Sequence, residues 1–251
     1  MESNDYIYGI RAVIEAIEAG KEIDKVFVKK DLGGELASEL LGLIRSRGIV
    51  AQRVPVERIN RITRRNHQGV VAMLSAVEYQ SLEQIVPMLF EDGRLPFIVL
   101  LDGITDVRNF GAIARTCECA GVDAIVIPRH GSVSVGADAV KTSAGALHRI
   151  PVCRENGIAP AVRYLRDSGF TVIAASEKSD INYTCVDMTG PVAIVMGAED
   201  TGISPAVIRQ CDHLVSIPMM GHIGSLNVSV AAGIMAYEVV RQRLAANLEV
   251  I

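Results

Sequence analysis

Apolar residues in the first third of the chain recur at two different periods. In YGIRAVIEAIEAG they stand at Ile10, Val13, Ile14 and Ile17, the spacing of one helix face, and Gly20 marks the stop. KVFVKK then reads as a short strand and GELASELLGLIRSRG as a second helix closed by Gly48. VAQRVP is a strand, VERINRIT a short helix and GVVAMLSAV a third strand. This α/β unit has apolar residues enough for a core of its own. Across EYQSLEQIVPMLFEDGRL the pattern weakens around Pro87 and Gly93, which predicts a short helix and a linker. From Pro96 onward short apolar runs alternate with helical segments, with strands expected at 97–101, 124–127, 171–175, 192–196 and 214–217. The division so predicted is a domain over 1–78, a linker over 79–95 and a larger domain over 96–251.

Continuous apolar, β-branched runs suit a parallel sheet covered on both faces, and open parallel sheets bind ligands beyond the carboxyl ends of their strands. The glycines and polar residues of the larger domain fall at those ends: DGITDVRNFG after the run at 97–101, GAEDTG after 192–196 and PMMGHIGSLN after 214–217. Loops from separate strands are therefore expected to converge on one ligand.

Composition narrows the class. With 49% hydrophobic and 22% charged residues in 251, the chain is a packed globular protein, and no apolar run is long enough to span a bilayer. MESNDYIYGIRAV has acidic and polar residues where a signal peptide would be basic and then apolar. The five cysteines form no C-x-x-C pair, which points to reduced thiols and a cytoplasmic protein. The five histidines lack metal-ligand spacing, so no metal is expected. The net charge of −4 hides a basic segment: residues 45–67 carry seven arginines, among them Arg58, Arg61, Arg64 and Arg65, against one acid, Glu57. Such a patch either grips phosphates or is a solvated helix face.

Three segments carry candidate chemistry. In NFGAIAR, Asn109 can cap a helix that Gly121 terminates, and Gly111 lets a backbone or a ligand come close. Arg115, one turn further on, is either a fork of donors for a phosphate or ribose or a plain surface arginine. In MGAEDTG, Gly197 and Gly202 bracket a turn containing Glu199, and the glycine fingerprints of dinucleotide and triphosphate sites are absent. In the third segment Ser225 and Asn227 sit where a helix begins. Ala231, Ala232, Gly233 and Ala236 give that helix a bare face, suited to core packing or to self-association.

Taken together and in order, NFGAIAR, MGAEDTGIS and IPMMGHIGSLNVSVAAGI resemble the three motifs of the SpoU (TrmH-like) family of SPOUT RNA 2′-O-ribose methyltransferases. KTSAGALHRIPV is also similar to the family, and YGIRAVIEAI and HQGVVAML resemble the small ribosomal-protein-like α/β domain of its 23S ribosomal RNA guanosine-2′-O-methyltransferase branch. The resemblance implies an α/β fold with a mostly parallel sheet flanked by helices and a deep C-terminal trefoil knot holding S-adenosyl-L-methionine. It implies Gly197, Ile217 and Leu226 at the cofactor, largely through backbone groups, with Met219 and Asn227 nearby. It implies Arg115 as the central catalytic residue, contacting RNA and acting on the ribose hydroxyl by position and charge, since arginine stays protonated. Asn109, Glu199, Ser225 and Asn227 are expected to support it by holding cofactor, ribose and the Arg115 side chain. It implies a homodimer, with Arg115 serving a site completed by the other subunit, and RNA, foremost ribosomal RNA, as partner of the arginines at 58, 61, 64 and 65. A tRNA substrate, a non-catalytic RNA-binding or ribosome-assembly factor of the same fold, and an ordinary doubly wound NAD or flavin protein are the alternatives.

Overall fold

A computed structural model describes residues 6–246. The acidic start of the chain and the last residues of the 96–251 domain lie outside the described residues. Two compact units result: one runs to Glu78 and includes Ser134–Asp138, the other holds Tyr79–Val133 and the chain from Ala139 on.

The first unit runs β1 (Tyr6–Tyr8), α1 (Ile10–Glu18), β2 (Ile23–Lys29), α2 (Glu35–Ser46), β3 (Ala51–Val54), α3 (Val56–Ile62) and β4 (Val70–Leu74). Its four strands order as β1-β4-β2-β3. One face of the sheet takes the apolar stripes of α1 and α2, with Val13, Ile14, Ile17, Leu40 and Ile44 buried against Val26, Val28 and Val70. The opposite face carries Phe27, Val54 and Val71 and is covered by Ile59 of α3. Ser134–Asp138 joins this unit through a backbone and a side-chain bond: Ala76 donates its N–H to the Val135 oxygen, and the Ser134 hydroxyl donates to the buried carboxylate of Asp24.

The second unit continues with β5 (Tyr79–Gln80), α4 (Leu82–Glu91), β6 (Phe97–Asp102), α5 (Val107–Cys119), β7 (Ala124–Pro128), α6 (Ala137–Thr142), β8 (Val152–Glu155), α7 (Ile158–Asp167), β9 (Thr171–Ala175), β10 (Val192–Gly197), α8 (Pro205–Ile208), β11 (His213–Val215) and α9 (Val228–Ala245). Its seven strands order as β11-β9-β10-β6-β7-β8-β5, and every pairing is parallel. Strands β6, β7, β9 and β10 are buried almost throughout, as their unbroken apolar runs require. α4 and α7 cover one face. The chain winds from β6 outward to β8 on one side and to β9 and β10 on the other, so the switch point lies between β6 and β10.

The segment expected as a linker is corrected here. β5 joins the sheet beside β8, and α4 buries Leu82, Ile85, Val86 and Leu89 in the core of the second unit. A capping box of Ser81 and Gln84 starts this helix, and its apolar stripe carries it through Pro87, whose missing N–H costs one backbone bond. All five cysteines are free thiols, and burial pushes those of Cys117 and Cys153 up to about 12. Among the described residues no helix is long and apolar enough to cross a membrane.

α5 shows how the sheet's helices are seated. A Cβ added at Gly111 would lie 2.6 Å from Thr142 Cβ and 3.0 Å from the Ser143 nitrogen, so the close approach anticipated there is made by the end of α6. Alanine ordinarily stabilises a helix relative to glycine by about 1 kcal/mol. At position 111 the sign reverses: Gly111→Ala is expected to destabilise the second unit by about 1–3 kcal/mol, the usual cost of overpacking, read as a lowered urea midpoint.

Candidate active site

The three polar loops that follow β6, β10 and β11 come together, and each is held by bonds that its own sequence supplies. After β10 the chain turns back at once: Gly202 donates its N–H to Ala198 at 2.8 Å and the two pair as a bridge. A Cβ at Gly197 would lie 2.3 Å from both the Gly202 carbonyl carbon and the Ile203 nitrogen, so only glycine allows this return. From the end of β6, Asp102 fastens the same loop, its backbone oxygen accepting from Ala198 at 3.1 Å and its carboxylate from the Ser204 N–H at 2.8 Å. Glu199 stands exposed at the tip.

α5 begins at Asp106, not at Asn109. The Asp106 carboxylate accepts from the N–H groups of Arg108 and Asn109, both at 2.8 Å, and is the N-cap. Asn109 is thereby released, and its side-chain oxygen accepts from Asn227 Nδ2 at 3.0 Å. At its other end α5 closes in a Schellman turn at Gly121, with Val122 N–H on the Cys117 oxygen at 2.9 Å.

Asn227 is the junction. Its Nδ2 donates to Asn109 and also to Glu199 Oε1 at 2.5 Å, and Glu199 Oε1 accepts in addition from the Val228 N–H at 3.2 Å. Its Oδ1 caps α9 by accepting from the Ser229 N–H at 3.0 Å, and it accepts from the Ser229 hydroxyl as well. A carboxylate only accepts, so the amide nitrogen must face Glu199 and the oxygen must face the helix. Asn109, Glu199 and Asn227, expected at one site from separate motifs, are thus brought into direct contact across 118 residues of chain. With both N–H groups and the oxygen engaged, the Asn227 side chain is spent on the protein and has no donor left for a ligand.

Beside this junction lies a cleft of about 640 Å³, open solvent included. Of the residues expected at a cofactor, Gly197, Ile217, Met219, Ser225 and Leu226 line it, and Asn227 does not. Ser176 and Glu177, just past β9, line it too and escaped the sequence reading. Their position at the carboxyl end of the run at 171–175 was the available signal. A second cleft between the 103–109 and 198–200 loops shares Ala198, Glu199 and Val228 with the first, so Glu199 stands on the wall between them.

The loop from 217 to 226 has an unusual hydrogen-bond inventory. Among the described residues, none of its backbone N–H or C=O groups has a partner within the chain. Such a run of free donors and acceptors along a cleft wall can read the edge of a purine base and ribose hydroxyls without side chains. The free donors and acceptors and the mixed polar and apolar lining fit an adenosine-bearing cofactor.

Arg115 is not brought to this site. It is exposed on α5, lines neither cleft and has no hydrogen-bond or ion-pair partner among the described residues. Of the small residues of α9, Ala232 and Ala236 are buried and Gly233 faces Thr116 of α5, so that face is used within the chain. A different stripe is left uncovered: Val230, Tyr237 and Leu244, each half exposed or more, recur every seventh residue. The arginines at 58, 61, 64 and 65 are exposed in the first unit.

A parallel α/β sheet with a cleft beyond the carboxyl ends of β9 and β10, walled by a short glycine turn and a helix N-terminus, suits a nucleotide-type ligand without a dinucleotide fingerprint. Residues 96–237 match the SpoU rRNA methylase family and residues 6–80 match the RNA 2′-O ribose methyltransferase substrate-binding domain. A protein of Staphylococcus saprophyticus described as a TrmH family tRNA/rRNA methyltransferase is 36% identical over 237 residues, 94% of this chain and 95% of the relative. An AdoMet-bound rRNA methyltransferase from Sinorhizobium meliloti aligns with a TM-score of 0.59 at 28% identity, over 94% of this chain and 86% of that one. The SpoU methyltransferase AviRb from Streptomyces viridochromogenes, in complex with AdoMet, aligns with a TM-score of 0.60 at 27% identity, over 96% and 90%. A TrmH/SpoU tRNA-modifying enzyme of A. aeolicus aligns with a TM-score of 0.56 at 29% identity, but over 66% of this chain and 86% of its own. The chain belongs to the SpoU rRNA methylase family and is an RNA methyltransferase of the S-adenosylmethionine-dependent class.

The Asn227 junction yields a direct test. Asn227→Ala removes a helix cap, expected to cost about 1–2 kcal/mol, and unties the walls of the cleft, so thermal stability and S-adenosylmethionine affinity by calorimetry should fall together. Asn227→Asp keeps the capping oxygen but sets a carboxylate against Glu199, and is expected to rescue neither.

Proposed function

We propose that this protein transfers a methyl group from S-adenosylmethionine to a ribose 2′-hydroxyl in RNA, at a guanosine of 23S ribosomal RNA. The observation that carries the reading is the Asn109–Asn227–Glu199 contact beside the cleft, which joins the three motif segments at one point. The cofactor, when bound, supplies an electrophilic methyl on a sulfonium centre. The free backbone groups of the 217–226 loop and the Gly197 turn hold its adenosine, with Glu177 offering a carboxylate to ribose hydroxyls. The second cleft, on the far side of Glu199, receives the target ribose. Ser225, exposed and without a protein partner among the described residues, is placed to bond cofactor or ribose.

Arg115 acts in the site of a second subunit. Its exposed, unpaired guanidinium and the uncovered Val230/Tyr237/Leu244 stripe on the neighbouring α9 both support a homodimer built on these two helices. There it orients the 2′-oxygen and stabilises the charge that develops as the proton leaves; proton acceptance is outside its chemistry at neutral pH. A trefoil knot is in keeping with the strand order. The chain leaving β10 crosses to the far side of β9 to make β11, then returns as α9 to pack on α5 and β10.

Ribosomal RNA is favoured over tRNA by coverage. The rRNA methyltransferase relative spans both units, whereas the tRNA-modifying relative spans about two thirds of the chain. The arginine-rich segment of the first unit supplies the phosphate grip that the net charge of −4 lacks. Five free thiols accord with work in the cytoplasm.

Methyl transfer from labelled S-adenosylmethionine to ribosomal RNA and, separately, to tRNA tests the reading. Label on the 2′-oxygen of ribosomal RNA is expected; label on tRNA alone would overturn the substrate, and none on either the activity. Arg115→Ala is expected to bind cofactor normally and to lose transfer by about two orders of magnitude, the scale of one electrostatic group at a reacting centre. Mixing it with a Ser225→Ala protein under subunit exchange should restore part of the activity if the arginine serves the other subunit.

A further inference from the structure

The aromatic edge of the first unit's sheet has no part in the site described above. Tyr6 and Tyr8 lie two residues apart on β1, an edge strand, and so share one face of the sheet. It is the face of Phe27, Val71 and α3, while the intervening Ile7 belongs to the opposite core. Both tyrosines are half-buried, and their ring centroids are 6.3 Å apart at 48°. At that tilt the rings do not stack on one another. The Arg65 guanidinium sits 5.9 Å from the Tyr8 ring centroid, with Nη1 donating to the Tyr8 hydroxyl at 3.4 Å. Next to it Arg58 lies 5.0 Å from the centroid of the buried Phe27 ring, which leaves the outer side of its guanidinium plane to solvent.

We infer that the Tyr6/Tyr8 edge, with the guanidinium planes of Arg65 and Arg58, is a stacking platform for unpaired bases of the RNA substrate. The inference rests on the RNA-methylating reading and deepens it by naming the class of RNA structure the first unit takes. Charge chooses the polyanion, since residues 45–67 carry seven arginines and one acid. Charge alone would accept a duplex as readily as a loop. Flat aromatic and guanidinium surfaces discriminate, because a duplex hides its base faces in its own stack and only a loop or bulge can present them. A bare apolar lid over Ile59 and Val71 needs neither a tyrosine pair nor arginines set beside the rings.

Fluorescence anisotropy with the full chain tests it, using a labelled RNA stem-loop and a fully paired duplex of matched length. Tyr8→Leu, which keeps apolar cover over the core, should weaken stem-loop binding about tenfold, in the range of one lost base-aromatic stack, and leave the duplex unchanged. Tyr8→Phe should bind as the wild type. Arg61→Gln should weaken both RNAs alike and lower the salt slope by about one. If Tyr8→Leu does not fold, Arg65→Lys keeps the charge without the plane and should give the same split. Equal losses on both RNAs, or no loss on the stem-loop, would overturn the platform while leaving methyl transfer intact. A wild-type protein that binds neither RNA would overturn the RNA reading along with it.

Discussion

An asparagine side chain offers two N–H donors and a carbonyl oxygen with two lone pairs. At Asn227 all of these are engaged: the donors by Asn109 and Glu199, the oxygen by the N–H and hydroxyl of Ser229. One amide therefore fixes the start of α5, the tip of the turn after β10 and the first turn of α9. These elements come from distant parts of the chain and share no backbone pairing at this point. Together with the Asp102 carboxylate on the Ser204 N–H, this amide holds the walls of the cleft while its own donors are turned away from it. Removing an amide engaged in this way also leaves its former partners unsatisfied, which costs more than the bonds themselves.

The supporting constraints are steric. Gly197 admits the backbone of Gly202 and Ile203, and Gly111 admits the end of α6; in both places a methyl group would occupy space already taken by other atoms. Asp102 then pins the turn from beneath. What these contacts build is a cleft walled within one chain, while Arg115 on α5 is exposed and lines no part of it.

The sheet was legible in the sequence because its strands are buried on both faces. The run at 171–175 is β9 to the residue, and those at 97–101, 124–127 and 192–196 each extend by one residue in the structure. β8 was missed because VCRE mixes two buried residues with two charged ones, and β1 and β5 because strands of three and two residues carry no period. Pro87 and Gly93 suggested a linker, yet the apolar stripe of α4 outweighs one lost backbone bond. Asp106 and Asn109 are both good caps three residues apart, and nothing local chooses between them. The choice is made by Asn227, 118 residues away. The bare face of α9 was visible, but which neighbour fills it depends on where α5 lies. The motif residues could be placed at one site, whereas the Ser176 and Glu177 wall required knowing which strand end adjoins the cleft.

The backbone groups from 217 to 226 have no partner among the described residues, and Ile217, Met219, Gly224, Ser225 and Leu226 of this loop line the cleft. Every amino acid except proline carries the same donor and acceptor there. A ligand read by the main chain alone would leave side chains such as Met220 and Ile223, exposed and lining no part of the cleft, open to change at little cost to its binding. An alanine scan of such a loop would pass over groups that belong to the backbone.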